Sequence, residues 1–184
     1  MHIVPARPHG NETGFTLIET VIAMGILATA LLSLAGVFVL GLNHVASSTP
    51  NLISREKARE AVESVHTARD TRTITWAEIR NVSDGGVFLD GTTPLRNPGP
   101  DGLINTADDT GIEVTLAPGP DNILGTADDV QIPLETYTRQ IEITEIVTDG
   151  VANPSLRRVR VMVTYRLGSI ERTYTLTTYI SSIS

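Results

Sequence analysis

Six aspartates sit at matching positions in two near-copies of one stretch. Gly99-Pro100-Asp101-Gly102-Leu103-Ile104-Asn105-Thr106-Ala107-Asp108-Asp109 returns twenty residues later as Gly119-Pro120-Asp121-Asn122-Ile123-Leu124-Gly125-Thr126-Ala127-Asp128-Asp129. Carboxylates and carbonyls on a tight, glycine-containing loop are the hard oxygen donors that Ca²⁺ takes, at about 2.3–2.6 Å and in flexible geometry. Asp101, Asp108 and Asp109 are candidate ligands for one ion and Asp121, Asp128 and Asp129 for a second, unless the two loops share ions. The competing account is a pair of solvated turns whose Asp, Asn and Gly residues satisfy the backbone locally. The EF-hand spacing is absent, and with no cysteine and no clustered histidine, zinc, copper and iron are poor candidates. One further carboxylate stands apart. Glu19 heads a run, Thr20 to Leu42, that carries no other charge and no proline. A charge in lipid costs roughly 2.5–3.5 kcal/mol on insertion scales and calls for a partner. A partner of opposite charge would attract it strongly in low dielectric, where either charge alone is costly.

The elements that must carry these residues follow from composition and period. As a helix, Thr20 to Leu42 is about 34 Å long, enough to cross a bilayer core of ~30 Å. Asn43 to Pro50 is polar, and Pro50 removes an intrahelical hydrogen bond, so a kink is expected there. Ala58, Ala61, Val62, Val65 and Ala68 then recur at spacings of three and four, opposite Arg55, Glu56, Lys57, Arg59, Glu60 and Glu63. That pattern predicts an amphipathic helix laying a small-residue stripe on a sheet. Thr75-Trp76-Ala77-Glu78 matches a capping box and predicts a short second helix through Ile79.

The last third is predicted to be antiparallel sheet. Val159, Val161, Val163, Tyr165 and Leu167 alternate with Arg158, Arg160, Met162, Thr164 and Arg166, and Gly168-Ser169 suits a type II′ turn into Ile170 to Thr178. Pairing Leu167 with Ile170 sets Val163 opposite Tyr174, Val161 opposite Leu176 and Arg166 opposite Glu171, each a favourable pair. A further strand, Tyr137 to Val147, joins through the turn signals Asp149-Gly150 and Asn153-Pro154. The fold class is α+β, a long N-terminal helix on an antiparallel sheet.

Charge is concentrated as well. Nine acids between residues 85 and 135 face a single base, Arg96, in a chain of net charge −7. There is no P-loop, nucleophile elbow or metalloprotease His-Glu motif, and His44 and His66 are isolated, so no enzyme is expected. Arg158, Arg160 and Arg166 share a strand face. Pairing with neighbouring acids or plain solvation outweighs nucleic-acid binding as its explanation.

Gly14-Phe15-Thr16-Leu17-Ile18-Glu19, with a polar leader before it and a membrane-length helix after it, resembles the processing signature of type IV prepilins and type II secretion pseudopilins. The resemblance implies the pilin fold and a division into leader (1–14), transmembrane and filament-core helix (15–42), exposed half of the long helix (43–72) and β-rich head (73–184) carrying the acidic loops at 99–109 and 119–129. It implies cleavage after Gly14 by a prepilin peptidase, N-methylation of Phe15, and pairing of Glu19 with the amino terminus of a neighbouring subunit. The implied partners are other pilin subunits and an inner-membrane assembly platform. The implied location is a single-pass inner-membrane precursor, then an extracellular pilus or a periplasmic pseudopilus. A minor pilin is the first expectation, a pseudopilin the second, and a membrane-tethered, calcium-dependent binding module the third. Many pilins close a C-terminal loop with a disulfide; this cysteine-free chain needs another staple, and Ca²⁺ in the loops would be one.

Overall fold

The computed structural model describes residue 14 and residues 16–182, side chains at 43–47 and 148 aside. Phe15 and the expected leader before Gly14 lie outside the described residues. Two compact units are present, 1–46 and 47–184.

In the first unit, helix α1 (Leu17–Asp70) begins, and its Leu17–Leu42 stretch is long and apolar enough to cross a membrane. The few polar side chains in this stretch bond to their own helix: Thr20 Oγ1 donates to Leu17 O (2.8 Å), Thr29 Oγ1 to Ile26 O (2.8 Å) and Ser33 Oγ to Thr29 O (2.9 Å). Their hydroxyls are thereby satisfied without water, as a lipid-facing helix requires. The helix continues through Pro50.

In the second unit, the later part of α1 buries the expected stripe. Ala58, Ala61, Val65 and Ala68 are fully buried, and the first three join Ile141, Ile143, Val159, Val161 and Val163 in one core. Alanines let a helix backbone approach a sheet closely, and the β-branched residues opposite fill the pleats. The sheet has strand order β1-β6-β7-β8, formed by β1 (Thr93–Pro94), β6 (Tyr137–Thr148), β7 (Val151–Leu167) and β8 (Ile170–Ser181). The β7–β8 register is the expected one, with Leu167 opposite Ile170, Arg166 opposite Glu171, Val163 opposite Tyr174 and Val161 opposite Leu176. Gly168 has φ 62° and Ser169 does not share the positive φ, which is the II′ pattern. The architecture is α+β, a long helix followed by antiparallel sheet, consistent with a pilin.

Three local features differ from expectation. Asp149 and Gly150, both at positive φ, alone make the β6–β7 turn. Asn153 and Pro154 lie inside β7, where the register slips: Glu145 pairs with Arg157 but Ile146 with Asn153. A proline has no N–H to give the ladder, so it sits where the ladder is interrupted. The Thr75 capping box forms, with Glu78 Oε2 accepting from Thr75 N (2.7 Å) and Thr75 Oγ1 (2.8 Å), but it opens only a 3₁₀ turn, Trp76–Glu78. The chain is then held by Arg157, whose guanidinium lies 4.2 Å from the Trp76 ring centroid and donates to the carbonyls of Trp76 and Ile79. A second short turn, Val82–Asp84, follows Asn81, which covers part of the β6 edge: its Nδ2 donates to Ile141 O (2.7 Å) and its Oδ1 accepts from Ile143 N (2.8 Å).

Candidate functional site

Each acidic stretch is the loop of a small hairpin. The first joins β2 (Arg96–Asn97) to β3 (Thr110–Ile112) and the second joins β4 (Val114–Ala117) to β5 (Val130–Pro133). The three aspartates of each loop return at the same offsets because they do the same bonding. Asp101 Oδ1 accepts from Leu103 N and Asp121 Oδ1 from Ile123 N, both at 2.8 Å. Asp108 Oδ2 accepts from Asp101 N and Asp128 Oδ2 from Asp121 N, both at 3.2 Å. Asp109 Oδ2 accepts from Asn105 N (2.6 Å) and Asp129 Oδ2 from Gly125 N (2.7 Å). Thr106 and Thr126 donate to the other oxygens of Asp108 (2.7 Å) and Asp128 (2.6 Å). These threonine bonds are the foremost reason that both carboxyls are held below the usual carboxylate range. Asp109 moves the other way because partial burial outweighs its bonds. The leading glycines are obligatory: a Cβ on Gly99 would overlap Asp108, and one on Gly119 would overlap Asp128.

Each loop also contains two left-handed residues, Gly102 and Asn105 in the first and Asn122 and Gly125 in the second. Glycine and asparagine exchange places because both tolerate that conformation. The exchange separates the two loops. Asn105 reaches the core, donating from Nδ2 to Leu89 O (3.2 Å) and accepting from Thr93 Oγ1 (2.7 Å), while Ile104 N donates to Ser64 Oγ on α1 (3.2 Å). Leu103 and Ile104 are 2% and 3% exposed. Their counterparts Ile123 and Leu124, beside a glycine with no side chain to anchor them, are 59% and 60% exposed. Asp129 Oδ1 is shielded from solvent without a hydrogen-bond donor, whereas Asp109 Oδ1 accepts from Thr106 at 3.2 Å. Among the described residues no three His, Asp or Glu side chains converge as a ready metal cluster.

A group of charges that the pattern did not flag lies in the core. Glu113, between β3 and β4, is buried with its Oε1 3.2 Å from Arg139 Nη1 and its Oε2 2.7 Å from Lys57 Nζ, and Lys57 also reaches Glu60 at 2.8 Å. Burial depresses Lys57, but its bonds to Glu113 and Glu60 more than offset this and its pKa is raised. Glu113 also bonds through its backbone, accepting from Leu134 N (2.9 Å) and donating to Leu95 O (3.0 Å). It ties the two hairpins to α1 and β6. The available signal was Arg139, a cation in the inward phase of Tyr137, Ile141 and Ile143.

At the N-terminus, Gly14 is exposed and Glu19 lies in the first turn of α1. Its Oε2 lies 3.5 Å from Thr16 N and its own N lies 3.4 Å from Thr16 Oγ1, the reciprocal arrangement of a loose capping box. A family model, the prokaryotic N-terminal methylation motif, matches residues 10–35. The N-terminus is prepilin-type. The matched segment spans Gly14, Phe15 and Glu19 and runs into the apolar helix, which is consistent with the type IV pilin and pseudopilin family. No curated protein and no solved structure matches the chain. A prepilin-type N-terminus on an apolar helix fits an inner-membrane-anchored precursor that assembles with other pilin-like subunits.

Proposed function

We propose that this chain is a structural subunit, a minor pilin, of a type IV pilus or related filament. The observation that carries the reading is the methylation motif at residues 10–35 running directly into a helix of membrane length. In this reading the prepilin peptidase cuts after Gly14, Phe15 becomes the methylated first residue, and the assembly platform extracts the helix into the filament. Glu19 supplies the register: its carboxylate neutralises the amino group of the neighbouring subunit as both leave water, a pairing that favours one axial position over its alternatives. The test is Glu19→Ala in the full chain. Membrane insertion should persist, since an uncharged helix inserts at least as well, while incorporation into sheared filaments should collapse; normal incorporation would refute the pairing. Recovery in a periplasmic rather than a surface filament would favour the pseudopilin form.

One observation favours a second role, cation binding by the second loop: Asp129 Oδ1 is shielded and has no donor. Asp121, Asp128 and Asp129 would be the ligands of a Ca²⁺ ion there, with Asp101, Asp108 and Asp109 as the counterpart set. Bound Ca²⁺ would add order to loops that no disulfide closes, and this is also what a tethered, calcium-dependent binding head would need. Calorimetric titration of the EDTA-treated chain with CaCl₂ decides it: saturable heat lost in Asp129→Asn supports the site, and none refutes it.

A further inference from the structure

The second acidic loop leaves its apolar pair uncovered among the described residues. Both loops have the same internal bonds, but the first has inserted Leu103 and Ile104 into the core, while Ile123 and Leu124 project outward. The exposure is not confined to those two. Leu116, Val130 and Ile132 on the same hairpin are each about half exposed, and Leu116, Leu124 and Ile132 line, with Leu52, Ile53 and Tyr137, a groove of about 630 Å³. An apolar surface of this kind on an isolated chain marks an interaction site. The loop that carries Ile123 and Leu124 also carries Asp121, Asp128 and Asp129, Glu56 lines the groove, and no Lys or Arg occurs between Arg96 and Arg139. The complement of this surface must therefore offer an apolar centre flanked by cations.

The second unit presents such a surface itself. Tyr179 on β8 is 58% exposed and lies directly across from Arg158 on β7, with Arg160 two residues along the same outer face. Arg160 is 3.6 Å from Glu142, whereas Arg158 has no ion pair among the described residues. Of the other exposed apolar side chains of this unit, Val147 and Val151 flank Asp149, Val82 is beside Asp84, and Ile170 is beside Glu171, which already pairs with Arg166. Arg158 and Tyr179 are also out of reach of the groove of the same chain. The groove lies against Tyr137, which pairs with Tyr165, seven residues or about 23 Å along β7 from Arg158 at ~3.3 Å per residue.

We infer that the Ile123-Leu124 loop of one copy docks on the Tyr179, Arg158 and Arg160 face of a second copy. The contact is head-to-tail, since each copy uses a different surface, and such contacts propagate into open chains instead of closing as dimers. It deepens the filament reading by placing an interface in the head, and its charge complementarity makes it sensitive to salt.

The absence of cysteine makes the test clean. Leu124→Cys and Tyr179→Cys are introduced singly and together into the full chain, and cell membranes are treated with a short bismaleimide. Expected is a ladder of dimers, trimers and higher species for the double variant, dimers for a mixture of the two single variants, and none for either single variant alone. Arg158→Glu or high salt should lower the yield by at least about tenfold. Dimers from Leu124→Cys alone, or no ladder despite thiols that a monofunctional maleimide labels, overturn the contact. Mass spectrometry of the N-terminus in the same samples separates the two claims. Methylated Phe15 without a ladder refutes the contact and leaves the filament subunit standing; a ladder with an unprocessed N-terminus supports the contact and refutes the subunit reading.

Discussion

Replacing Glu113 with alanine should be among the most damaging single changes in the second unit, although Glu113 belongs to no regular element and touches no proposed site. The carboxylate forms the close ion pair of the buried Arg139 guanidinium, at 3.2 Å, while Asp109 feels Arg139 only as a Coulombic neighbour, and Nε and Nη2 of Arg139 already lack acceptors. Removing the carboxylate breaks a buried ion pair and leaves the cation without its hydrogen-bonded partner, which costs about 3–5 kcal/mol. Lys57 would suffer less because it is only half-buried and keeps Glu60 at 2.8 Å. At ~2.1 cal/mol/K of unfolding entropy per residue, a unit of about 140 residues loses ~0.3 kcal/mol of stability per degree near its midpoint, so Tm should fall by about 10–17 °C. Thermal melts of the full chain in detergent, followed by the fluorescence of Trp76, its sole tryptophan, would read this. The double variant Glu113→Leu/Arg139→Met should recover most of the loss, because replacing both charges with apolar groups removes the desolvation cost along with the attraction. The pH dependence has a defined sign. Lys57 has a raised pKa, so its contribution is complete below its ordinary value of 10.5 and is lost as pH rises through the folded value; the gap between the parent and Glu113→Ala melts should narrow there by the Lys57 share and keep the part due to Arg139. A Tm loss below about 3 °C for Glu113→Ala, or a double variant no better than the single, would refute the reasoning.

Two further outcomes are expected in the loops. Gly99→Ala and Gly119→Ala both force a Cβ onto an aspartate, at an overpacking cost of about 1–3 kcal/mol where the loop cannot yield. Because the first loop is docked in the core and the second projects from it, chemical denaturation should show the larger loss for Gly99→Ala, and equal losses would contradict the difference in docking. The carboxyls of Asp108 and Asp128 are held low by Thr106 and Thr126, so the bonds they accept persist above pH 3.8 and fail as pH falls through their lowered folded values. Amide exchange at Asp101 and Asp121 should report this, with protection retained at pH 4 and lost well below it; loss already at pH 5 would refute it.

What was legible in the sequence was whatever had a period or a fixed spacing. The Ala58 to Ala68 stripe and the β7–β8 register emerged because a one-residue slip would have turned Val159, Val161 and Val163 out of the core. The type II′ turn followed from one glycine in the right place. Features set by tertiary context were not legible. Locally the two pairs Leu103-Ile104 and Ile123-Leu124 differ only in their flanking Gly and Asn, yet one pair is buried and the other exposed, because Asn105 has Leu89 and Thr93 within reach and Gly125 has no side chain to offer. The same holds for Glu113 and Arg139, charges 26 residues apart whose pairing depends on how two hairpins stack on the helix. Pro154 reads as a turn residue, but a long strand can absorb a proline at a register slip. The repeated aspartates carried an ambiguous signal, since the oxygen-rich loop that suits a cation also suits backbone N–H donors, and those donors are engaged throughout both loops.

The filament-subunit reading rests on processing at the N-terminus, and mass spectrometry of the protein recovered from the cell envelope and from sheared surface filaments tests it most directly. A chain beginning at N-methylated Phe15 and present in the sheared fraction is the expected result. An intact Met1 to Gly14 segment on protein confined to the membrane would contradict it.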